Sequence, residues 1–467
     1  MVNVTTSLEI RDDRLHFDGL DVADLARQVP TPFFLFSARQ IAANIDALRT
    51  AFTRRHPATE IFYASKACSN MWFLNAVLRS GINVEVNAGG ELIKALRSAF
   101  APRQIVFNGV AKTVAEIELA IQTGVRAIIV DSLFELERVA DVAARRQQRA
   151  NVALRIDVDV PTLTHPGLAT THGGKAGIDR DDAPAAFDLA VSSAWIDLRG
   201  MHMHIGSQIT SVEPYLRAVE TALDIIDAAE QQHGIELEHL NAGGGFAIAY
   251  RSAAVCQPAD YFCSTLAADD YAEAICAALE RRNSRLTLFL EPGRSIAGTA
   301  AVLVTTVENE KTKGVRDASG KRVGDERWLT VDAGFNTLLE HTNYRWYYPA
   351  VVATRAGQPA TAPFRLAGPL CDSGDVFAGD GDTPFRHFPE ETSVGDIVVF
   401  IDAGAYSLEM MNPYNARPRA AAYAVVDGDV RQIREPDTFE DMVMHDVPPG
   451  AAAGSRDHPA SLWTEFP

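Results

Sequence analysis

Short apolar runs alternate with amphipathic, helix-period segments through the first two thirds of the chain. The runs occupy residues 61–63, 83–86, 105–107, 127–130, 152–156, 200–205, 237–241 and 287–290. Their brevity and apolar, largely β-branched or aromatic content read as buried strands. Between them, residues 71–79, 91–98, 114–123, 133–146, 214–232 and 271–281 repeat apolar side chains at three- and four-residue spacing, as helices that bury one face do. Such alternation builds a parallel sheet. Eight units between Ile61 and Glu291 predict a (β/α)8 barrel, a fold that takes ~250 residues. A doubly wound open sheet is the rival, but no Gly-x-Gly-x-x-Gly follows the first strand.

Beyond about residue 297 the texture changes. Residues 301–306, 327–332, 364–366, 396–401 and 421–426 are strand-like and separated by turns, which predicts a second, mostly β domain. The strand-like pieces 7–9 and 15–17 could join it. The division expected is therefore a barrel over 36–296 and a discontinuous β domain over 1–35 and 297–467. Residues 310–325 and 354–361 read as exposed hairpin loops, and the Gly/Ala/Pro-rich stretch 448–459 as mobile.

Composition narrows the class. A length of 467 residues suits about two domains, and 47% hydrophobic with 22% charged residues is ordinary for a soluble globular protein. The net charge of −18, with no offsetting basic stripe, argues against nucleic acid and anionic membranes as partners. No apolar run approaches the ~20 residues of a membrane span. The charged N-terminus lacks the pattern of a signal peptide. The cysteines Cys68, Cys256, Cys263, Cys276 and Cys371 form no Cys-x-x-Cys pair, which argues for reduced thiols and no zinc site, hence a cytoplasmic protein.

The candidate chemistry lies at the C-terminal ends of the expected strands, where such barrels place their active sites. Lys66 closes the first run; burial there would lower its pKa and make its amine a nucleophile. Other strand ends carry Asn87-Ala-Gly-Gly90, Asn108-Gly109, Asp131, Arg155, His204-Ile-Gly-Ser207, Gly243-Gly244-Gly245 and Glu291-Pro-Gly293-Arg294. Bare glycine amides and an arginine suit a dianionic phosphate. A lysine beside a phosphate site points to pyridoxal 5'-phosphate held as a Schiff base. His202 and His204 share a strand face but find no third ligand at sensible spacing, so no metal is expected.

Together these segments resemble the fold-type III pyridoxal-phosphate decarboxylases, the group of diaminopimelate, ornithine and arginine decarboxylases with alanine racemase as a relative. The resemblance runs nearly end to end. It includes Thr31-Pro-Phe-Phe34, Tyr63-Ala-Ser-Lys66-Ala, His204-Ile-Gly-Ser207-Gln, Gly243-Gly-Gly-Phe246, Glu291-Pro-Gly-Arg294-Ser, Gly368-Pro-Leu-Cys371-Asp372-Ser-Gly-Asp375, Asp402-Ala-Gly-Ala-Tyr406 and Tyr414-Asn-Ala-Arg417-Pro-Arg419. It implies that Lys66 carries the cofactor, that His204 stacks on its ring, and that Glu291 pairs with the pyridine nitrogen. Ser207, Gly243, Gly244, Gly245, Gly293, Arg294 and Tyr406 would hold the phosphate. Cys371, as proton donor, and Asp372, contacting substrate, would come from the partner subunit of a homodimer with shared active sites. An acid at Glu291 favours decarboxylation over racemisation, since the racemase relatives place an arginine there.

The substrate is less determined. The diaminopimelate enzymes usually show an Arg-Pro-x-Leu-Tyr-like element after the Asp-x-Gly strand end. Here Asp332-Ala-Gly-Phe335 is followed by Thr342-Asn-Tyr344-Arg345-Trp346-Tyr347-Tyr348, which offers Arg345 and Tyr348 for the substrate without the proline. The cluster 344–348 and the Cys371–Asp375 segment look more like the bacterial D-ornithine/D-lysine decarboxylase branch. Both branches act on a D-configured carbon of a diamino acid. A siderophore- or toxin-pathway decarboxylase, or an amino-acid racemase, is the alternative.

Overall fold

A computed structural model describes residues 7–446 apart from 163, 172 and 252–260. The eight expected strands form a closed parallel barrel: Thr59–Ala64, Asn83–Val86, Ile105–Phe107, Ala127–Val130, Ala150–Arg155, Ile196–His202, His239–Asn241 and Thr287–Leu290. Closure comes from the eighth strand pairing with the first, Leu290 opposite Ile61. Alternation along each strand divides the apolar residues between two cores. Ile61, Tyr63, Val84 and Val86 join the large cluster under the helices, whereas Phe62, Val106 and Phe289 form a separate small cluster, as do Ala127, Ile129 and Ala153. This parity places Glu85, between Val84 and Val86, on the barrel's inner side.

Local signals set the helices that space these strands. Ser37 caps the helix Ala38–Arg55 by accepting from the Gln40 N–H. Thr113 and Glu116 form a reciprocal capping box on Val114–Thr123, which ends at left-handed Gly124. No helix among the described residues is long and apolar enough to cross a membrane.

The second unit is a nine-stranded sheet centred on Phe33–Ser37 and Ala301–Arg316, which pair antiparallel. Phe33–Ser37 also pairs in parallel with Ala421–Val426 and is buried along its whole length. The leading strand-like pieces pack on this sheet. Leu8–Arg11 and Arg14–Phe17 form their own three-stranded sheet with Leu20–Asp21. That sheet does not extend the large one but covers it, because Leu8, Leu15 and Phe17 share a core with Phe33, Leu35, Val302 and Val304.

Two loop expectations are corrected. Residues 310–325 are mostly strand: Ala301–Arg316 and Arg322–Val331 run as a long antiparallel ribbon. Only 317–321 turn, with the Asp317 carboxylate accepting from the Ser319 and Lys321 N–H groups. Charged residues on an exposed ribbon hid its strand character. Residues 354–361 do not close a hairpin, since Ala350–Val352 pairs with Ile397–Phe400 and Ala362–Ala367 pairs with Arg322–Val331. The stretch 448–459 lies outside the described residues. The thiols of Cys68, Cys276 and Cys371 are free, but Cys263 is disulfide-bonded, so the expectation of uniformly reduced thiols fails there.

One buried acid gives the fold a pH dependence. Asp402 is buried, its Oδ1 has no partner, and burial alone pushes its carboxyl from 3.8 to about 7. A folded-state pKa raised above the unfolded value gives stability that is complete at acid pH and lost as pH rises through 7. At 1.36 kcal/mol per unit the loss is about 4 kcal/mol. Asp402→Asn should therefore melt above the parent protein at pH 8.5 by differential scanning calorimetry, with the difference fading near pH 4.

Candidate active site

Lys66 lies in the single turn Ser65–Ala67 directly after the first barrel strand. The neighbouring carbonyl of Ala67 accepts from the Tyr406 N–H at 2.8 Å, tying the β domain to this turn. Burial acts to lower the Lys66 ammonium, but Glu85, Tyr406 and Glu291 outweigh it and hold it above its ordinary value. The expectation that burial alone would lower this pKa is overturned, because buried acids surround the amine. Glu85 is the strongest of these influences. Its Oε2 accepts from Asn87 Nδ2 at 3.1 Å while Oε1 has no partner. Burial pushes its carboxyl up to about 8 even though Lys66 pulls it down.

Glu291 follows the eighth strand. Its Oε1 accepts from Asn241 Nδ2 at 2.7 Å, and its Oε2 lies 3.1 Å from His202 Nε2. Burial opposes its charge, but His202, Lys66 and Asn241 prevail and bring the carboxyl down to about 2. Burial also lowers the pKa of His202, so that ring acts as a neutral N–H donor, and two donors converge on one ionised carboxylate. His202 thus serves Glu291.

His204 is held neutral, far below its usual range, by burial and by Lys66 and Arg155. Its Nδ1 faces the Gly244 N–H at 3.3 Å, which leaves a flat uncharged ring at the mouth. The triple glycine has a tighter steric reason than phosphate contact. A Cβ on Gly244 would sit 2.0 Å from the Glu291 carbonyl oxygen, and one on Gly245 would sit 2.2 Å from that of Gly206, with φ +97 besides. The Gly243 N–H already donates to Asn241 Oδ1 at 2.9 Å. The Gly245 and Gly293 N–H groups find no acceptor among the described residues. With the Ser207 and Tyr406 hydroxyls they are the anion donors the mouth retains. The Tyr406 hydroxyl comes within 3.3 Å of the Cβ position of Gly293, and its backbone is held at φ +55, a strained conformation of the kind that gathers at functional sites.

Arg294 does not stand free for a phosphate as expected. Its Nη1 and Nη2 donate to the two oxygens of Glu340 at 3.2 and 3.0 Å, Nη1 also reaches the Tyr250 hydroxyl at 2.9 Å, and Nε lies 3.4 Å from Ser207 Oγ. The guanidinium stacks on Trp346 and Tyr406. The Tyr348 hydroxyl is buried and donates to Glu340 at 3.3 Å. Arg345 is exposed, at φ +49, and lines a cavity of about 610 Å³ with Arg251, His341, Arg365 and Ser373. Cys371 and Asp372 are exposed. Their bonds run to Asn415, Gly374 and Tyr414, and none among the described residues joins them to Lys66.

Sequence reasoning missed Glu340, Asn241 and Glu85. Glu85 had a readable signal, a charged residue at an inward position of a buried strand. Asn241 and Glu340 had none, since a polar strand end and an acid in Leu339-Glu340-His341 carry no spacing rule.

The arrangement defines a class first: a barrel enzyme with a lysine, an ionised acid and a group of unused donors at one mouth, a set that fits pyridoxal phosphate. Residues 38–298 match the family model described as the pyridoxal-dependent decarboxylase, pyridoxal binding domain. The chain belongs to that family. It is 32% identical over 438 residues to a diaminopimelate decarboxylase of Aquifex aeolicus, covering 93% of this chain and 96% of that one. It is 34% identical to the Pseudomonas aeruginosa enzyme of the same name, covering 92% and 96%. The crystal structure of diaminopimelate decarboxylase from M. jannaschii in co-complex with L-lysine matches with a TM-score of 0.83 at 31% identity, covering 95% and 98%. The protein is accordingly a pyridoxal-phosphate-dependent amino-acid carboxy-lyase.

Proposed function

We propose that this enzyme decarboxylates a diamino acid at a D-configured α-carbon, of the D-ornithine/D-lysine or meso-diaminopimelate type. The observation that carries the reading is Glu291, ionised and clamped by His202 and Asn241 at the same barrel mouth as Lys66. Bound pyridoxal phosphate supplies an electron sink for the pair released when the α-carboxylate leaves. Glu291, ionised, would favour a proton on the cofactor's ring nitrogen, which a neutral group there would not. Lys66 would be the amine that holds the cofactor. The neutral His204 ring would support its face, and Ser207, Gly245, Gly293 and Tyr406 would donate to its phosphate.

Cys371 and Asp372 enter this reading from the partner subunit of a homodimer, with Cys371 returning a proton to the α-carbon and Asp372 facing the substrate. Their exposed position on a loop tied to Asn415 supports it. The chain divides on this reading into a barrel, 36–296, and a β domain, 1–35 with 297–467, that presents the loop. Mixing inactive Lys66→Ala and Cys371→Ala proteins under subunit exchange should restore about a quarter of the parent activity, since half the dimers then hold one intact shared site. Restoration of none would place Cys371 in its own subunit's site. Carbon dioxide release from meso-diaminopimelate and from the D- and L-forms of lysine and ornithine tests the reaction itself; release from none of them, with cofactor bound, would overturn the diamino-acid reading.

A further inference from the structure

The loop that follows Asp332 brings a carboxylate, not a cation, to the mouth's arginine. Glu340 and Arg294 are each only 2% exposed in their side chains, and the pair is closed by two hydrogen bonds. Tyr348 donates to the same carboxylate, and the rings of Trp346 and Tyr406 cover the guanidinium at 4.3 and 4.7 Å. The positive charge of Arg294 is thereby matched before any ligand arrives.

Two other cations belong to the mouth. Lys66 is reserved for the cofactor. Arg155 is buried, with Nε 3.9 Å from Asp131 and Nη1 3.5 Å from Asn108. Three carboxylates, Glu85, Glu291 and Glu340, share this environment: Lys66 feels the first two, and Tyr406 feels Glu340 and Glu85. Arg251, Arg345 and Arg365 do line a cavity, but none of Lys66, His204, Ser207, Glu291, Arg294 or Tyr406 lines it with them. A second carboxylate on the substrate would find the Arg294 guanidinium already paired with Glu340, and Glu85 and Glu291 beside Lys66, which is the costly way to bury a charge. A side chain ending in an ammonium meets the opposite situation, a site rich in acceptor oxygens.

We infer that the Glu340–Arg294 pair is a specificity device that rejects a second substrate carboxylate, so that the natural substrate is a basic α-amino monocarboxylic acid with a terminal ammonium group rather than a diamino diacid. This rests on the decarboxylase reading above and narrows it. Glu340 is a specificity-determining residue here, not a catalytic one.

The test uses the holoenzyme and two readouts: carbon dioxide release, and the change in cofactor absorbance when an amine displaces Lys66. D-Lysine, D-ornithine and meso-diaminopimelate are compared. The expected result is kcat/KM at least ~100-fold higher for D-lysine or D-ornithine than for meso-diaminopimelate, the scale of discrimination that one unmatched buried polar group supplies. Glu340→Gln should shrink that ratio at least ~10-fold, with meso-diaminopimelate gaining, whereas Glu340→Asp should preserve it. Turnover of meso-diaminopimelate by the parent enzyme as good as that of D-lysine and D-ornithine would overturn the inference, as would an unchanged ratio in a folded Glu340→Gln protein. Should Glu340→Gln fail to fold, the parent panel decides alone. Should no compound release carbon dioxide, the decarboxylase reading fails separately, and the order of binding read from absorbance still decides on charge: tighter binding of meso-diaminopimelate sinks the inference, and weaker binding supports it.

Discussion

Replacing Lys66 with alanine abolishes covalent attachment of the cofactor and lowers decarboxylation by at least ~10³-fold, about 4 kcal/mol of barrier. The residue lies at the exit of the first strand, surrounded by Glu85, Glu291 and Tyr406, and no second lysine is placed there. Lys112, the other buried lysine, donates to the carbonyls of Gly109 and Ile129 and to Glu135, so its three protons are already used in the barrel wall. Borohydride reduction followed by peptide mass analysis gives the check. In the parent protein the pyridoxyl label falls on the Lys66 peptide, and in Lys66→Ala it disappears. A label retained elsewhere would move the active site.

The second large effect belongs to Glu291. Glu291→Gln keeps the shape but puts an amide against the His202 and Asn241 donors, and on the proposed reading it would leave the cofactor's ring nitrogen without an anion. The expected loss in kcat is roughly 10²–10³-fold, the scale found when one preorganised electrostatic partner is removed. The same substitution has a signature in the protein without cofactor. A carboxyl lowered from 4.5 to about 2 in the folded state contributes stability that is present above pH 4.5 and lost as pH falls through 2, close to 3 kcal/mol, or ~3 kcal/mol at 1.36 per unit. Denaturant melts of the apoprotein should show Glu291→Gln less stable at pH 7, with the gap narrowing as the pH is lowered through that window. Equal stability at both pH values would mean that the clamp does not hold an ionised acid.

The barrel was legible because its physics is periodic. Eight apolar runs of strand length and the segments 71–79, 114–123 and 133–146 recur in the structure as Met71–Arg79, Val114–Thr123 and Leu133–Arg146. Lys66, His204 and Glu291 were legible because they fall where strands end. The β domain was less so. Phe33–Ser37 is buried on both faces, so it shows no alternation, and its partners lie far along the chain. The ribbon 301–331 reads as loop from sequence where its outer half carries charge on both faces. The commitment of Arg294 was invisible because its partner, Glu340, comes from another domain's loop. Composition can tell that an arginine and an acid exist, but not that each has found the other.

The central position of Phe33–Ser37 sets an order on synthesis. This strand precedes both its partners in the chain, and its two ladders wait for Ala301–Arg316 and then for Ala421–Val426. Contacts so distant in sequence are slow to form, and an apolar strand lacking both neighbours is a template for wrong pairing. The barrel's eight strands are complete at Leu290, whereas Phe33–Ser37 lacks its second neighbour until Ala421–Val426 has been made. The strand at the centre of the sheet is therefore an aggregation hazard throughout that interval.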